Sequence, residues 1–209
     1  MNHKVNTYIF DFDWVIIDTA KKFAEIFFEV ATRMWKKVTW EEAQYYSQNR
    51  HTSYEFFITP EERKIANRLY QEIEEEKFPA SKTPLITGAK EKIEEILNQN
   101  KNVAIFTDRS RKSLDETLLA HQINHLFDHT ITMCCTWEKK PSPTWLIHIL
   151  QRFWTPVENC LYTWDTHVDL KAAQALEMPF VWVLSWVNKP KDWWEHFHIP
   201  DITHLKVKS

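Results

Sequence analysis

YIFDFDWVIIDT, residues 8–19, is the stretch on which the fold turns. A run of β-branched and aromatic residues, Tyr8-Ile9-Phe10, leads into two aspartates spaced by one residue, Asp11 and Asp13, with Trp14 directly after them. Carboxylates at the end of a buried strand are costly unless a positive group or a proton compensates them. The stretch therefore predicts a buried strand that delivers two acids to a site with cationic partners.

Working outward, similar runs occur at residues 103–106, 129–133, 161–163 and 180–184. Their continuous apolar character suits a parallel sheet covered on both faces. Helical patterns at residues 89–99, 110–121, 143–153 and 168–176 alternate with them. That alternation predicts an α/β fold, a doubly wound parallel sheet of Rossmann-like type. Residues 20–84 break the pattern and read as helices only. Residues 20–34 are amphipathic, Thr39 caps TWEEAQYY, and Thr59-Pro60 open TPEERKIANRLYQEIEEEKF. The expected organisation is a core of residues 1–19 and 85–209 carrying an all-helical insert at 20–84.

Composition narrows the partners. With 26 Lys and Arg against 29 Asp and Glu, the 209-residue chain has no global basic field for nucleic acid or an anionic membrane. Met1-Asn2-His3-Lys4 lacks the apolar core of a signal peptide, and no apolar run approaches the roughly 20 residues of a membrane helix. A cytoplasmic protein with a small soluble partner is expected. Cys134, Cys135 and Cys160 are too few and too irregularly spaced for a disulfide framework or a zinc site, and read as reduced structural residues. A single Gly beside 11 Trp is the anomaly, because average usage puts Gly near 7%.

Ligands in such sheets bind beyond the carboxyl ends of the strands. That edge collects Asp11 and Asp13, then Thr107 and Asp108, then Asp165 and Asp169, with Lys140 before the fourth strand. Acidic oxygens so gathered repel one another unless a cation neutralises them, and hard oxygen donors suit Mg²⁺. Thr107 and Lys140 offer a hydroxyl and an ammonium for phosphoryl oxygens. One carboxylate can then act as nucleophile and a second as acid and base.

DFDWVIIDT, VAIFTD, KKPSPTWLIHIL and TWDTHVDLKAAQAL, in that order, resemble the four motifs of the haloacid dehalogenase superfamily. The resemblance is to its phosphoglycolate phosphatase and β-phosphoglucomutase branch, which carries a helical cap between the first two motifs; PLITGAKEKIEEIL is similar to the segment re-entering the core. It implies Asp11 as nucleophile, Asp13 as general acid and base, and Thr107 and Lys140 as phosphate ligands. It further implies Mg²⁺ held by Asp11, Asp165 and the backbone carbonyl of Asp13, with Asp169 supporting the metal or the lysine. Asp108 stands where the family often has Asn. The activity so implied is a Mg²⁺-dependent phosphatase for a small phosphorylated metabolite, acting as monomer or homodimer. A phosphomutase needs the same core.

Other polar residues read more plainly. His167 reads as a loop histidine, Glu72 to Glu76 as a solvated helix face, and Arg109 and Arg111 as either anion contacts or solvated helix-start residues. Against the family pattern, Trp14, Trp164 and Trp186 stand where Gly is usual, and Trp154 where helix-ending rules favour Gly; Trp35 and Trp137 are weaker cases. We read these as Gly replaced by Trp. A left-handed backbone costs a non-Gly residue about 1–2 kcal/mol. If Trp14 and Trp164 fill the pocket, the chain is a scaffold without activity.

Overall fold

Five apolar runs of the sequence become parallel strands in a computed structural model of the protein, which describes residues 4–48, 57–132, 140–165, 167–184 and 197–207. They are β1 (Thr7–Phe10), β2 (Asn102–Thr107), β3 (His129–Thr132), β4 (Cys160–Trp164) and β5 (Phe180–Val183). A sixth, β6 (His198–Ile199), is only two residues long and pairs with β5, beyond the reach of any periodicity argument. The sheet order is β3-β2-β1-β4-β5-β6.

Strand β1 lies at the centre, with Tyr8 opposite Val103 of β2 on one side and Leu161 of β4 on the other. The chain leaves β1 toward β2 and β3, then returns to the other side at β4. That reversal opens a crevice beyond the carboxyl ends of β1 and β4. Asp11 and Asp165 are the residues that follow those two strands.

Period-two alternation splits each strand between two cores. Tyr8, Phe10, Val103, Ile105, Val181 and Val183 join Ile93 and Ile96 of α4 (Ala89–Asn98) and Leu114 and Leu118 of α5 (Arg111–Ala120). Ile9, Ala104, Phe106, Tyr162, Trp164 and Trp182 join Leu146 and Ile149 of α6 (Thr144–Phe153) and Leu170 and Ala173 of α7 (His167–Gln174). Each fully buried large apolar side chain contributes roughly 1.5–3 kcal/mol, and both faces of the sheet collect it.

The chain divides into two compact units, residues 1–17 with 85–209 and residues 18–84. Among its described residues the second unit is helical: α1 (Ala20–Arg33), α2 (Trp40–Gln48) and α3 (Arg63–Lys77), followed by one 3-10 turn. Ile26, Val30, Ile58, Ala66 and Ile73 form its core. At α2 the Thr39 hydroxyl accepts from the Glu42 N–H at 3.2 Å while the Thr39 N–H donates to the Glu42 carboxylate at 2.8 Å, a reciprocal capping box. Helix α3 starts later than Thr59-Pro60 predicts. Glu62 takes the Thr59 N–H at 2.8 Å and the Lys36 ammonium at 2.8 Å, and residues 60–62 form a turn before the helix begins. The acidic run is not simply solvated, since Glu74 pairs with the buried Lys22 at 2.6 Å and Glu76 with Arg33 at 3.3 Å.

The scarcity of glycine shows at the helix ends. Trp35, Asn100, Gln122, Trp154 and Glu177 all adopt left-handed backbone, with φ between 50 and 57°, just beyond α1, α4, α5, α6 and α7. After α6 the Trp154 N–H donates to Gln151 O and the Thr155 N–H to Leu150 O; Trp35 and Lys36 repeat the pattern onto Thr32 and Ala31. These are Schellman closures, for which Gly is the usual residue. Gly88, at φ 81°, stays Gly for a second reason: a Cβ there would meet the Thr203 methyl at 2.7 Å. Trp164 differs from the other tryptophans. It sits in extended backbone in β4, with its ring 4.3 Å from Trp182 and 5.5 Å from Phe180 between centroids. Trp137, Trp186, Cys134 and Cys135 lie outside the described residues, and among those described no helix is long and apolar enough to cross a membrane.

Candidate active site

The Asp11 N–H donates to Thr163 O at 2.9 Å, extending the β1–β4 ladder by one residue and fixing where the Asp11 carboxyl emerges. That carboxyl accepts the Phe12 N–H at 2.8 Å and lies 3.2 Å from the Lys140 ammonium. Lys140 reaches Asp169 more closely, at 2.6 Å. Its ammonium also sits 4.6 Å from the centroid of the Phe106 ring and 5.9 Å from that of Tyr162, within cation–π range. The Tyr162 hydroxyl donates to the same Asp169 carboxylate.

The arrangement brings Asp11, Asp165 and Asp169 together, with one oxygen from each lying within 4.8 Å of the others. Asp165 is 1% exposed, and neither of its carboxyl oxygens has a hydrogen-bond partner among the described residues. Such a group is expensive to bury as an anion without compensation. Burial, reinforced by Asp11 and Asp169, pushes Asp165 well above the usual carboxylate range. Burial also raises Asp11 to about 7, because Lys140, shared with Asp169, offsets only part of the cost and Asp169 and Asp13 add repulsion. For Lys140, burial opposes the charge, but Asp11, Asp169 and Asp108 outweigh it and hold the ammonium above its ordinary value. Among the described residues, three carboxyls face one ammonium, a deficit of positive charge, and an all-oxygen donor set fits a hard divalent cation.

Asp13 points to a different partner. Arg109 Nε lies 3.1 and 3.0 Å from its two carboxylate oxygens and Nη2 2.8 Å from the first, with both side chains 7% exposed. Arg109 is neither a solvated helix-start residue nor a free anion contact. Its guanidinium is tied at Nη1 to Ser113 and Thr117, and its backbone N–H donates to the buried Thr107 hydroxyl at 3.2 Å. Arg111, by contrast, is structural, binding the Thr130 hydroxyl and carbonyl at 2.6 and 2.7 Å. Thr107 ends β2 beside β1, and Asp108 next to it is half-buried. His167 begins α7, but its side chain lies outside the described positions. Burial pushes the Cys160 thiol up to about 12, so it is inert as a nucleophile.

Sequence reasoning missed the Arg109–Asp13 pair and the Tyr162–Asp169 contact. The first joins residues 96 positions apart. Strand alternation could have flagged Tyr162 as inward-facing, but the same alternation makes it look like ordinary core.

A model of the haloacid dehalogenase-like hydrolase family matches residues 8–183. A phosphoglycolate phosphatase of Aliivibrio fischeri is 31% identical over 91 residues, 44% of this chain; the match spans only 40% of that relative's length. Among solved structures, a haloacid dehalogenase-like hydrolase candidate from Bacteroides fragilis gives a TM-score of 0.79 at 19% identity, covering 94% of this chain and 95% of that one. A predicted phosphoglycolate phosphatase from Haemophilus somnus gives 0.77 at 17%, covering 97% and 96%. A β-phosphoglucomutase candidate from Thermotoga maritima gives 0.75 at 18%, covering 95% of each. At these identities the solved structures speak for the fold.

Proposed function

The chain belongs to the haloacid dehalogenase-like hydrolases, and from that premise we propose that it is a Mg²⁺-dependent phosphatase acting on a small phosphorylated metabolite through an aspartyl-phosphate at Asp11. The observation that carries this reading is the buried Asp165 carboxyl, without a hydrogen-bond partner among the described residues and beside Asp11 and Asp169. Asp11 and Asp165 would hold the metal, together with the Asp13 carbonyl that the family resemblance implies. Bound Mg²⁺ would supply the positive charge that three carboxyls lack and polarise the phosphate.

An Asp11 carboxylate oxygen attacks phosphorus. Lys140 and the Thr107 hydroxyl bind the non-reacting phosphoryl oxygens and offset the charge that builds on them. Asp169, bonded by Tyr162, keeps Lys140 in place and charged. Asp13 serves the leaving oxygen as acid and the hydrolytic water as base. Asp108 supports the phosphate end of the site. The helical insert at 20–84 is the cap that selects the substrate, and residues 1–19 and 85–209 are the catalytic core. The reading carries with it a cytoplasmic monomer or homodimer whose partner is a phosphate ester rather than nucleic acid or membrane.

The test is phosphate release from 4-nitrophenyl phosphate with and without Mg²⁺, with Asp11→Asn as control. Mg²⁺-dependent turnover that falls at least about 10³-fold in Asp11→Asn is expected, since removal of a covalent nucleophile costs that much or more. A second reading, an inactive scaffold, draws on Trp14, buried at φ 63° directly after Asp13. Equal rates in the two proteins would leave that reading alone. Steady phosphate release without a sugar bisphosphate activator separates the phosphatase from a phosphomutase.

A further inference from the structure

A lysine ammonium rides on a flexible four-carbon stem, and it serves a phosphoryl oxygen only if something holds it in one place. Here two strands supply a seat. Phe106 of β2 and Tyr162 of β4 flank β1 in the core shared with Ile9, and their rings stand 6.0 Å apart between centroids. The Lys140 ammonium lies over both rings, 4.6 and 5.9 Å from their centroids, with its side chain 2% exposed. Its carboxylate partners are Asp169 Oδ1 at 2.6 Å and Asp11 Oδ1 at 3.2 Å. The longer contact is the one a phosphoryl oxygen beside Asp11 can share, and the shorter one is the anchor.

The Tyr162 hydroxyl donates to Asp169 Oδ1, the same oxygen that meets Lys140. A carboxylate oxygen offers two lone-pair sites, and two donors use both. That oxygen has no lone pair left for a cation. Tyr162 is rigid in its turn, with no exposed surface and its N–H bonded to Pro179 O at 3.0 Å.

We propose that Tyr162 is a positioning residue acting on Lys140 in two ways: its hydroxyl commits Asp169 to the lysine rather than to the metal, and its ring, with that of Phe106, seats the ammonium. The proposal rests on the assignment of Lys140 as a phosphate ligand in the phosphatase reading. It adds two aromatic residues to that reading and takes Asp169 out of the metal's ligands. Tyr162 and Phe106 touch neither phosphate nor metal; both act through Lys140.

The experiment measures kcat/KM for 4-nitrophenyl phosphate in saturating Mg²⁺, together with the calorimetric Kd of inorganic phosphate and, separately, of Mg²⁺. Tyr162→Phe keeps the ring and removes the O–H. It should lower kcat/KM and weaken phosphate binding by about tenfold, the scale on which losing the hydrogen bond that orients a ligating group is felt. The Mg²⁺ Kd should stay within about twofold. In an Asp169→Asn background the same change should cost little more, since Tyr162 acts there through a carboxylate already removed. Phe106→Leu keeps an apolar side chain without the π face and should weaken phosphate binding about threefold, the low end of a desolvated cation–π contact; it carries the test if Tyr162→Phe does not fold. Phosphate binding unmoved in both variants would overturn the proposal and leave the phosphatase reading intact. So would a Mg²⁺ Kd that weakens in step with that of phosphate, or losses that add fully in the double variant. A wild type that binds phosphate but hydrolyses no ester, matching Asp11→Asn, would overturn the phosphatase reading alone, and one that does not bind phosphate would overturn both.

Discussion

Trp14 and Trp164 both stand where the family resemblance implies Gly, in the first and the fourth motif, yet their surroundings are opposite. Trp164 occupies ordinary extended backbone and fills the core between Trp182 and Phe180. Glycine is not required there by any backbone angle, and Trp164→Gly should leave a cavity that costs roughly 3–5 kcal/mol, read as a lower urea midpoint. Trp14 sits at φ 63° in the turn after β1, where its N–H donates to Ile17 O at 2.8 Å. There the strain of a left-handed non-Gly residue, about 1–2 kcal/mol, works against the burial of its ring. The two residues look alike in the sequence because a string of letters carries no dihedral angle. The same limit hid Arg109 behind Asp13, whereas Asp11, Asp165, Asp169 and Lys140 could be read because each follows or precedes a strand that ends at one sheet edge.

Among the elements, helix ends are where this chain departs most from common practice. Trp35 and Trp154 close α1 and α6 in left-handed backbone while 94% and 93% exposed, so little burial offsets their strain. Trp35→Gly and Trp154→Gly should each raise stability by about 1 kcal/mol, additively because they lie in separate units, with thermal melting as the readout. Unchanged or lower melting in the double variant would show that the closures are not strained. The strands β1, β2, β4 and β5 were legible because buried parallel strands are continuously apolar. Strand β6 was not, since two residues carry no period, and the start of α3 was misread because a Thr-Pro pair resembles a cap when the Glu62 carboxylate has in fact taken the Thr59 N–H.

For the whole molecule, the acidic cluster ties stability to pH. Asp11 is raised to about 7 and Asp165 well above its usual range, while both would titrate near about 4 in the unfolded chain. Between those values the folded protein holds protons that the unfolded chain releases. Without metal, therefore, the contribution of these two carboxyls to stability is fullest below pH of about 4 and falls as pH rises through 7. A divalent cation takes the place of those protons, so its effect should grow with pH. In EDTA the melting temperature should drop from pH 5 to pH 8; saturating Mg²⁺ should restore roughly 5–10 °C at pH 8 and less at pH 5. No Mg²⁺ effect at pH 8 would remove the metal from the site.

The paired indoles of β4 and β5 have an optical consequence. Trp164 and Trp182 belong to neighbouring strands, with ring centroids 4.3 Å apart and planes inclined at 60°. Two strong transition dipoles that close share their excitation, so the pair should give a far-ultraviolet circular-dichroism couplet that depends on β4 and β5 staying paired. The sheet thus carries its own chiral chromophore, one that goes dark when the strands separate and stays silent to events at the chain's exposed indoles.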